Sequence, residues 1–203
     1  MANAIPYEVV AQPFTLYVAA VGTAFPEIDE TPGVSWTKVG TSGDLNYTED
    51  GVTVTHSQSV EMWRALGSTG PRKAFRTEEE LHIALTLADI SFEQYALALN
   101  YNSVSTDAPG AGTAGFKTLG LSRGLDVPQR ALLVKGAGGP YGASYPVQYE
   151  VPVAVQVGEP EVVFVKGEPA GLALEFAALE DPDASDETER FGRLIAQNAD
   201  AGT

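Results

Sequence analysis

Two stretches of the chain alternate apolar and polar residues with a period of two. From Val52 to Val60, Val52, Val54 and Val60 fall on one face with His56 and Gln58 between them, and Thr53, Thr55, Ser57 and Ser59 fall on the other. This pattern predicts a half-buried strand with a hydroxyl-rich outer face. From Lys73 to Ala88, Leu81, Ile83, Leu85 and Leu87 alternate with Glu80, His82, Ala84 and Thr86. Thr77 and Glu80 also have the spacing of a helix capping box, but strict alternation favours a strand. Between the two stretches, Met62 to Pro71 breaks the pattern, and Gly67, Gly70 and Pro71 mark a loop. The pair reads as a hairpin whose loop, residues 62–75, carries Trp63, Arg64, Leu66 and Arg72.

The pattern then switches to helical spacing. Ser91 is a good N-cap, Gln94 completes a capping box, and Ile90 and Tyr95 are placed for a hydrophobic staple. Phe92, Tyr95, Ala96 and Leu99 form an apolar stripe, so a helix over 91–99 is expected to lie across a sheet. Further strands are predicted at Phe14 to Ala20, Phe116 to Leu121, Ala131 to Lys135, Tyr145 to Val157, Glu161 to Val165 and Leu172 to Leu179. Pro152 makes the Tyr145–Val157 strand an edge or a bulged one.

Residues 1–13 read as an irregular arm, residues 22–51 as a long connection anchored by Trp36, and residues 100–115 as a polar loop. Residues 180–203 read as an acidic, partly ordered tail. The sum is a mainly β chain, a β-sandwich or barrel-like domain with one flanking helix, over residues 1–203 as a single domain.

Composition narrows the function. The 203 residues carry a formal net charge of −15, which argues against free nucleic-acid binding by a basic surface. Such acidity keeps a protein soluble; it also lets a protein surround DNA without adhering to it. There is no cysteine, so disulfides, thiolate metal sites and cysteine nucleophiles are excluded. The first residues lack a secretory pattern, and no apolar run approaches the ~20 residues of a membrane span.

Candidate chemistry is sparse. Gly110, Gly112 and Gly115 match G-x-G-x-x-G, but no strand is expected before them and no helix after. The loop from Gly136 to Gly142 lacks the residues of a P-loop. His56 and His82 have no ligand partner at metal-site spacing, and would approach each other only through a hairpin. Asp181, Asp183 and Asp186 begin like a calcium loop but lack its glycine and closing glutamate. No serine stands in a nucleophile elbow. No catalytic, cofactor or metal site is expected.

Two blocks carry a family resemblance. The first runs from Gly51 to Leu99: an alternating strand, a Gly-Ser-Thr-Gly-Pro loop, a strand opening on a basic-aromatic-Arg-Thr-Glu run, and a short Ala- and Leu-rich helix. The second, VKGEPAGLALEFAALEDPD from Val165 to Asp183, has a Glu-Pro turn, a strand ending in Phe and Ala-Leu, and an acidic Asp-Pro, with Phe191 and Gly192 following. Together they resemble the major tail tube proteins of siphophages and related gene-transfer particles. The resemblance covers about a third of the chain by pattern.

That resemblance implies a non-enzymatic virion protein with no cofactor, made in the bacterial host cytoplasm. Its subunits form homo-hexameric rings that stack into a tube, with hairpins of neighbouring subunits joined into a barrel around the lumen. The implied partners are a tape measure protein in the lumen, tail terminator and distal tail proteins, and double-stranded DNA that passes without specific binding. On this reading Thr53, Thr55, Ser57, Ser59, Glu61, Glu80, His82 and Thr86 are lumen candidates, and a register slip of one residue would reverse the faces. Trp63, Arg64, Leu66 and Arg72 are ring-stacking candidates. Composition equally fits another structural β-protein, such as a capsid decoration protein, an adhesin or a pilus-like subunit. A small-molecule site in the Gly-rich loops would need convergent polar groups in a pocket.

Overall fold

The computed structural model describes residues 10–167 and 169–200. In chain order the elements are β1 (Phe14–Ala19), β2 (Thr37–Lys38), β3 (Tyr47–Trp63), β4 (Lys73–Leu87), α1 (Phe92–Ala98), β5 (Val104–Asp107), β6 (Phe116–Leu119), β7 (Gln129–Gly136), β8 (Val147–Gln156), β9 (Leu172–Ala178) and β10 (Arg193–Ala196). Among the described residues the chain is mainly β with one α-helix, as its patterning predicts. Most of the expected N-terminal arm lies outside the described residues, and residues 10–13 carry no regular structure.

Eight strands form one antiparallel sheet in the order β2-β1-β7-β8-β9-β4-β3, with β10 added beside β8. The two ends of this order meet at Tyr47. Its hydroxyl accepts the Leu16 N–H at 3.1 Å and donates to the Val39 carbonyl at 2.8 Å. The sheet therefore curls on itself, barrel-like, around Leu16, Ile83, Leu87, Leu132, Leu174 and Phe176. Each such side chain contributes about 1.5–3 kcal/mol by leaving water. Burial, with a smaller effect of Asp44, pushes the Tyr47 hydroxyl well above its ordinary pKa. It stays protonated and keeps donating.

The helix closes the core with Leu97 and Ala98, but its capping differs from the expectation. Ser91 makes no side-chain cap. Gln94 is buried instead, and its Oε1 accepts the Gly40 N–H at 2.8 Å. Asp89 takes over the N-terminal role by accepting the N–H groups of Ser91 at 2.9 Å and Thr41 at 3.0 Å. Desolvation raises the Asp89 pKa, but a hydrogen bond from the Thr41 hydroxyl together with these backbone ones outweighs it and holds the carboxyl below its usual range. The apolar stripe also rotates: Ala96, Leu97, Ala98 and Leu99 are buried while Phe92 is exposed. The helix ends where Asn100 and Tyr101 both adopt positive φ, 63° and 58°.

A second, smaller cluster covers the outer face of β7. Trp36 packs with Ala19, Ala131 and Leu133, and its ring lies 5.1 Å from that of Phe25. The long connection is thus anchored by Trp36 as predicted. A polar network pins the same connection. Lys135 Nζ donates to the Ile28 carbonyl at 2.9 Å, the Glu30 carbonyl at 2.6 Å and Gln148 Oε1 at 3.0 Å. Gln148 Nε2 donates to Glu150 Oε1 at 2.6 Å, and Arg193 Nε donates to Glu150 Oε2 at 2.7 Å. Every buried polar head in the network has a partner, as burial requires.

Several expectations are corrected here. Of the two alternatives for the Tyr145–Val157 strand the bulged one holds: the strand is central, not at an edge, and Pro152 sits at a bulge where the β7–β8 register shifts between Arg130 and Leu132. Glu161 to Val165 forms no strand. Residues 100–115 are not all loop: Val104–Asp107 pairs with Phe116–Leu119 as a separate ribbon. The C-terminal segment is more than a tail. β10 fills the edge of β8 over Val147 to Glu150, which β9 leaves open because it reaches only Ala154 to Gln156.

Gly192 makes this last docking possible. Its φ is +110°, and a Cβ there would stand 1.9 Å from the Glu150 carbonyl oxygen. Gly192→Ala is expected to cost about 1–3 kcal/mol or to release β10. A lowered denaturant midpoint with fast amide exchange over 193–196 would show it; unchanged values would refute it.

Candidate functional site

The functional candidates converge on one element, the β3–β4 hairpin. β3 has 17 residues and β4 has 15, but the core supports only their basal parts. Leu81, Ile83, Leu85 and Leu87 are buried, whereas every residue from Thr55 to Trp63 and from Lys73 to Glu80 is exposed. β9 pairs with β4 only from His82 to Leu87. Beyond that point, among the described residues, the hairpin is a two-stranded ribbon with both faces and both outer edges uncovered. At about 3.3 Å per residue its exposed part reaches about 30 Å.

Register settles which side chains share a face. Thr53 lies opposite Ala84, Thr55 opposite His82, Ser57 opposite Glu80 and Ser59 opposite Glu78. Thr53, Thr55, Ser57, Ser59, Glu61, Glu80, His82 and Thr86 therefore all fall on one face, opposite to that of Leu81, Ile83 and Leu85. His56 lies across from Leu81 on the other face, so the two histidines do not come together. The face is internally bonded: Ser57 Oγ donates to Glu80 at 3.2 Å and Ser59 Oγ to Glu78 at 2.8 Å.

The face extends onto β9. His82 Nδ1 is 2.9 Å from Glu175 Oε1, and its Nε2 is 3.4 Å from Glu80 Oε2. Glu61, Glu78, Glu80 and Glu175 give the surface four carboxylates among hydroxyls, an arrangement that repels phosphate rather than holding it. Glu78 shares the alternation of Glu80 and was legible in it. Glu175 was not, because its place depends on the pairing of β4 with β9.

The hairpin tip corrects the expected loop over 62–75. Trp63 ends β3, opposite Lys73 at the start of β4, so the connection is residues 64–72. Arg64, Leu66 and Arg72 lie in this connection as expected, while Trp63 stands on the ribbon itself. The Arg72 N–H donates to the Trp63 carbonyl at 2.9 Å, which closes the connection. A bulge precedes the tip: Ser59 faces Glu78 but Val60 faces Arg76, leaving Thr77 as the extra residue. It shifts the phase of β4, so Phe75 and Lys73 join the face of Glu61 and Trp63. Lys73 Nζ sits 4.9 Å over the Phe75 ring. Val60, Met62, Trp63, Leu66 and Phe75 are all exposed, Leu66 fully.

Charge divides sharply along the hairpin. Residues 62–76 hold Arg64, Arg72, Lys73 and Arg76 and no acidic residue, a charge of +4, so the rest of the chain carries −19 of the total −15. Beside the hairpin base the curled sheet leaves an apolar groove of about 420 Å³, lined by Phe14, Val52, Val54, Val147, Tyr149 and Leu194 among others.

The other motifs stay apart from this surface. A strand does precede Gly110, contrary to expectation, but a strand also follows, so no helix N-terminus faces the glycines. Asp181 and Asp186 accept backbone N–H groups of Asp183 and Thr188 in local turns. Among the described residues no group of three or more acidic or histidine side chains is placed to hold a metal ion. No helix among them is long and apolar enough to cross a membrane. No protein-family model matches the chain, and no curated protein matches it.

The two tryptophans report on the tip separately, since Trp36 is 7% exposed and Trp63 is 54% exposed. In Trp36→Phe protein, acrylamide is expected to quench the remaining emission readily; in Trp63→Phe protein, emission is expected to be blue-shifted and resistant. Equal quenching of the two variants would contradict the exposed tip.

Proposed function

We propose that the chain is the major tail tube subunit of a long, non-contractile phage tail or a phage-derived particle, assembling into stacked hexameric rings through which DNA passes. The observation that carries the proposal is the uncovered distal half of the β3–β4 hairpin. A two-stranded ribbon in water is marginal by itself, and free strand edges invite pairing with another chain. Ring closure would satisfy both. The ribbon also carries one face of hydroxyls and carboxylates, which suits a lumen where DNA must slide. The two sequence blocks that resemble tail tube proteins include this hairpin and the β9 strand beside it.

In the assembled particle the Thr53–Ser59 face would line the lumen, and the 64–72 connection with Trp63 would meet the next ring. The tape measure, tail terminator and distal tail proteins are the expected partners, and the protein is expected in the virion tail.

The test is negative-stain electron microscopy of the concentrated protein with light scattering. Hollow tubes or stacked rings with sixfold symmetry are the expected result; a stable dimer or trimer without rings would favour a decoration protein or other structural β-protein. In particles, Thr55→Arg with Ser57→Arg and Ser59→Arg should leave assembly intact and impair DNA delivery. Normal delivery would remove the lumen assignment.

A further inference from the structure

The hairpin tip and the segment after β9 are opposites in charge and alike in exposure. The tip segment 62–76 has four cations and no anion. The segment from Glu180 to Glu189 holds Glu180, Asp181, Asp183, Asp186, Glu187 and Glu189 and no cation. Within the chain these charges are only partly matched. Arg76 pairs with Glu79 at 3.3 Å, Glu180 with Arg190 at 3.2 Å, and Glu189 approaches Arg193 at 4.0 Å. Among the described residues, Arg64 and Arg72 have no carboxylate within ion-pair distance, and Asp183, Asp186 and Glu187 have no cation there.

We infer that the basic tip of the β3–β4 hairpin docks on the acidic Glu180–Glu189 segment of a second copy of this chain, so that association between copies is gated by charge. The occupant follows from complementarity. A tip of +4 is attracted to a body whose net charge is −19, and its apolar residues need cover that the subunit itself does not give. The body's overall charge keeps copies apart in other orientations, since like charges set against each other disfavour wrong pairings. A contact in which the tip of one copy meets a different surface on the next is heterologous, and such contacts propagate into rings or filaments. This deepens the tail tube reading by naming the surface that receives the tip, and it rests on that reading for the direction of stacking.

Salt and charge reversal test it. Raising ionic strength from about 0.1 M to about 1 M shortens the screening length from about 10 Å to about 3 Å. The concentration for half-assembly, read by light scattering, is therefore expected to rise on the order of tenfold or more. Arg64→Glu with Arg72→Glu takes the tip from +4 to 0, and Asp183→Lys with Glu187→Lys takes the segment from −6 to −2, so each pair should raise the concentration for half-assembly. All four positions are exposed, and these side chains make no hydrogen bond among the described residues, so the variants should fold, with circular dichroism as the check. An equimolar mixture of the two variants should assemble at a lower concentration than either alone, because the carboxylates introduced at one tip then face the lysines introduced in the other's segment.

Wild-type tubes that ignore salt and both reversals would overturn the docking inference and leave the tail tube reading standing. Loss of assembly in the variants without rescue on mixing would assign the tip another receiving surface. If tip reversal abolished DNA co-sedimentation but not self-association, the tip would be a phosphate contact. A wild-type chain that remained monomeric at every salt concentration would overturn both.

Discussion

The β3–β4 pairing is the interaction on which the rest of the structure depends. Its basal half is held on three sides: β9 pairs with β4, Tyr47 ties the start of β3 to β1, and Leu81 to Leu87 anchor the inner face in the core. Its distal half has only the pairing itself. The same continuous strands thus belong to two environments. A hydrophobic core of ordinary size fixes the geometry of a ribbon that it does not cover, and on the tail tube reading the cost of leaving that ribbon in water is the driving force for assembly.

The ribbon also separates its chemistry along its length. Hydroxyls and carboxylates occupy one face from Thr53 to Glu61, and cations gather at the tip from Arg64 to Arg76. The bulge at Thr77 lies at the boundary between these regions and turns Phe75 and Lys73 toward the face of Trp63. A face that rejects phosphate and a tip that attracts anions can therefore coexist on one hairpin. On the tail tube reading, the first serves passage of DNA and the second serves contact between rings. The polar network of Lys135, Gln148, Glu150 and Arg193 lies elsewhere, under the long connection, and its part is to hold β10 and the Trp36 segment on the sheet.

Period-two alternation made the hairpin legible, and with it the face shared by Thr53 through Glu61, Glu80, His82 and Thr86. The apolar core positions of β4 and the anchoring Trp36 were legible for the same reason, as large apolar residues in otherwise polar surroundings. Contacts set by topology were not legible. Gln94 looked like a capping residue, but tertiary packing drew it inward to Gly40, and Asp89 capped instead. Glu175 joined the polar face only because β9 pairs with β4. β10 is four residues with no alternation, and it forms because β8 offers an unfilled edge. Glu161 to Val165 had the composition of a strand but forms none. The length of the exposed ribbon was also hidden, because Thr, Ser and Glu alternate with His and Gln there much as they would on a half-buried strand.

Amide hydrogen exchange on the free subunit and on assembled particles tests the central claim most directly, namely that the outer edge of β3 is unsatisfied until copies associate. In an antiparallel pair, alternate N–H groups of β3 point away from β4. In the free subunit these amides between Thr55 and Trp63 should exchange rapidly, while those of the core strands β7 and β9 stay protected. In assembled particles the outward amides of Thr55 to Trp63 should become protected. Unchanged exchange of that edge in assembled particles would contradict the account, because the hairpin would then not be the element that joins one copy to the next.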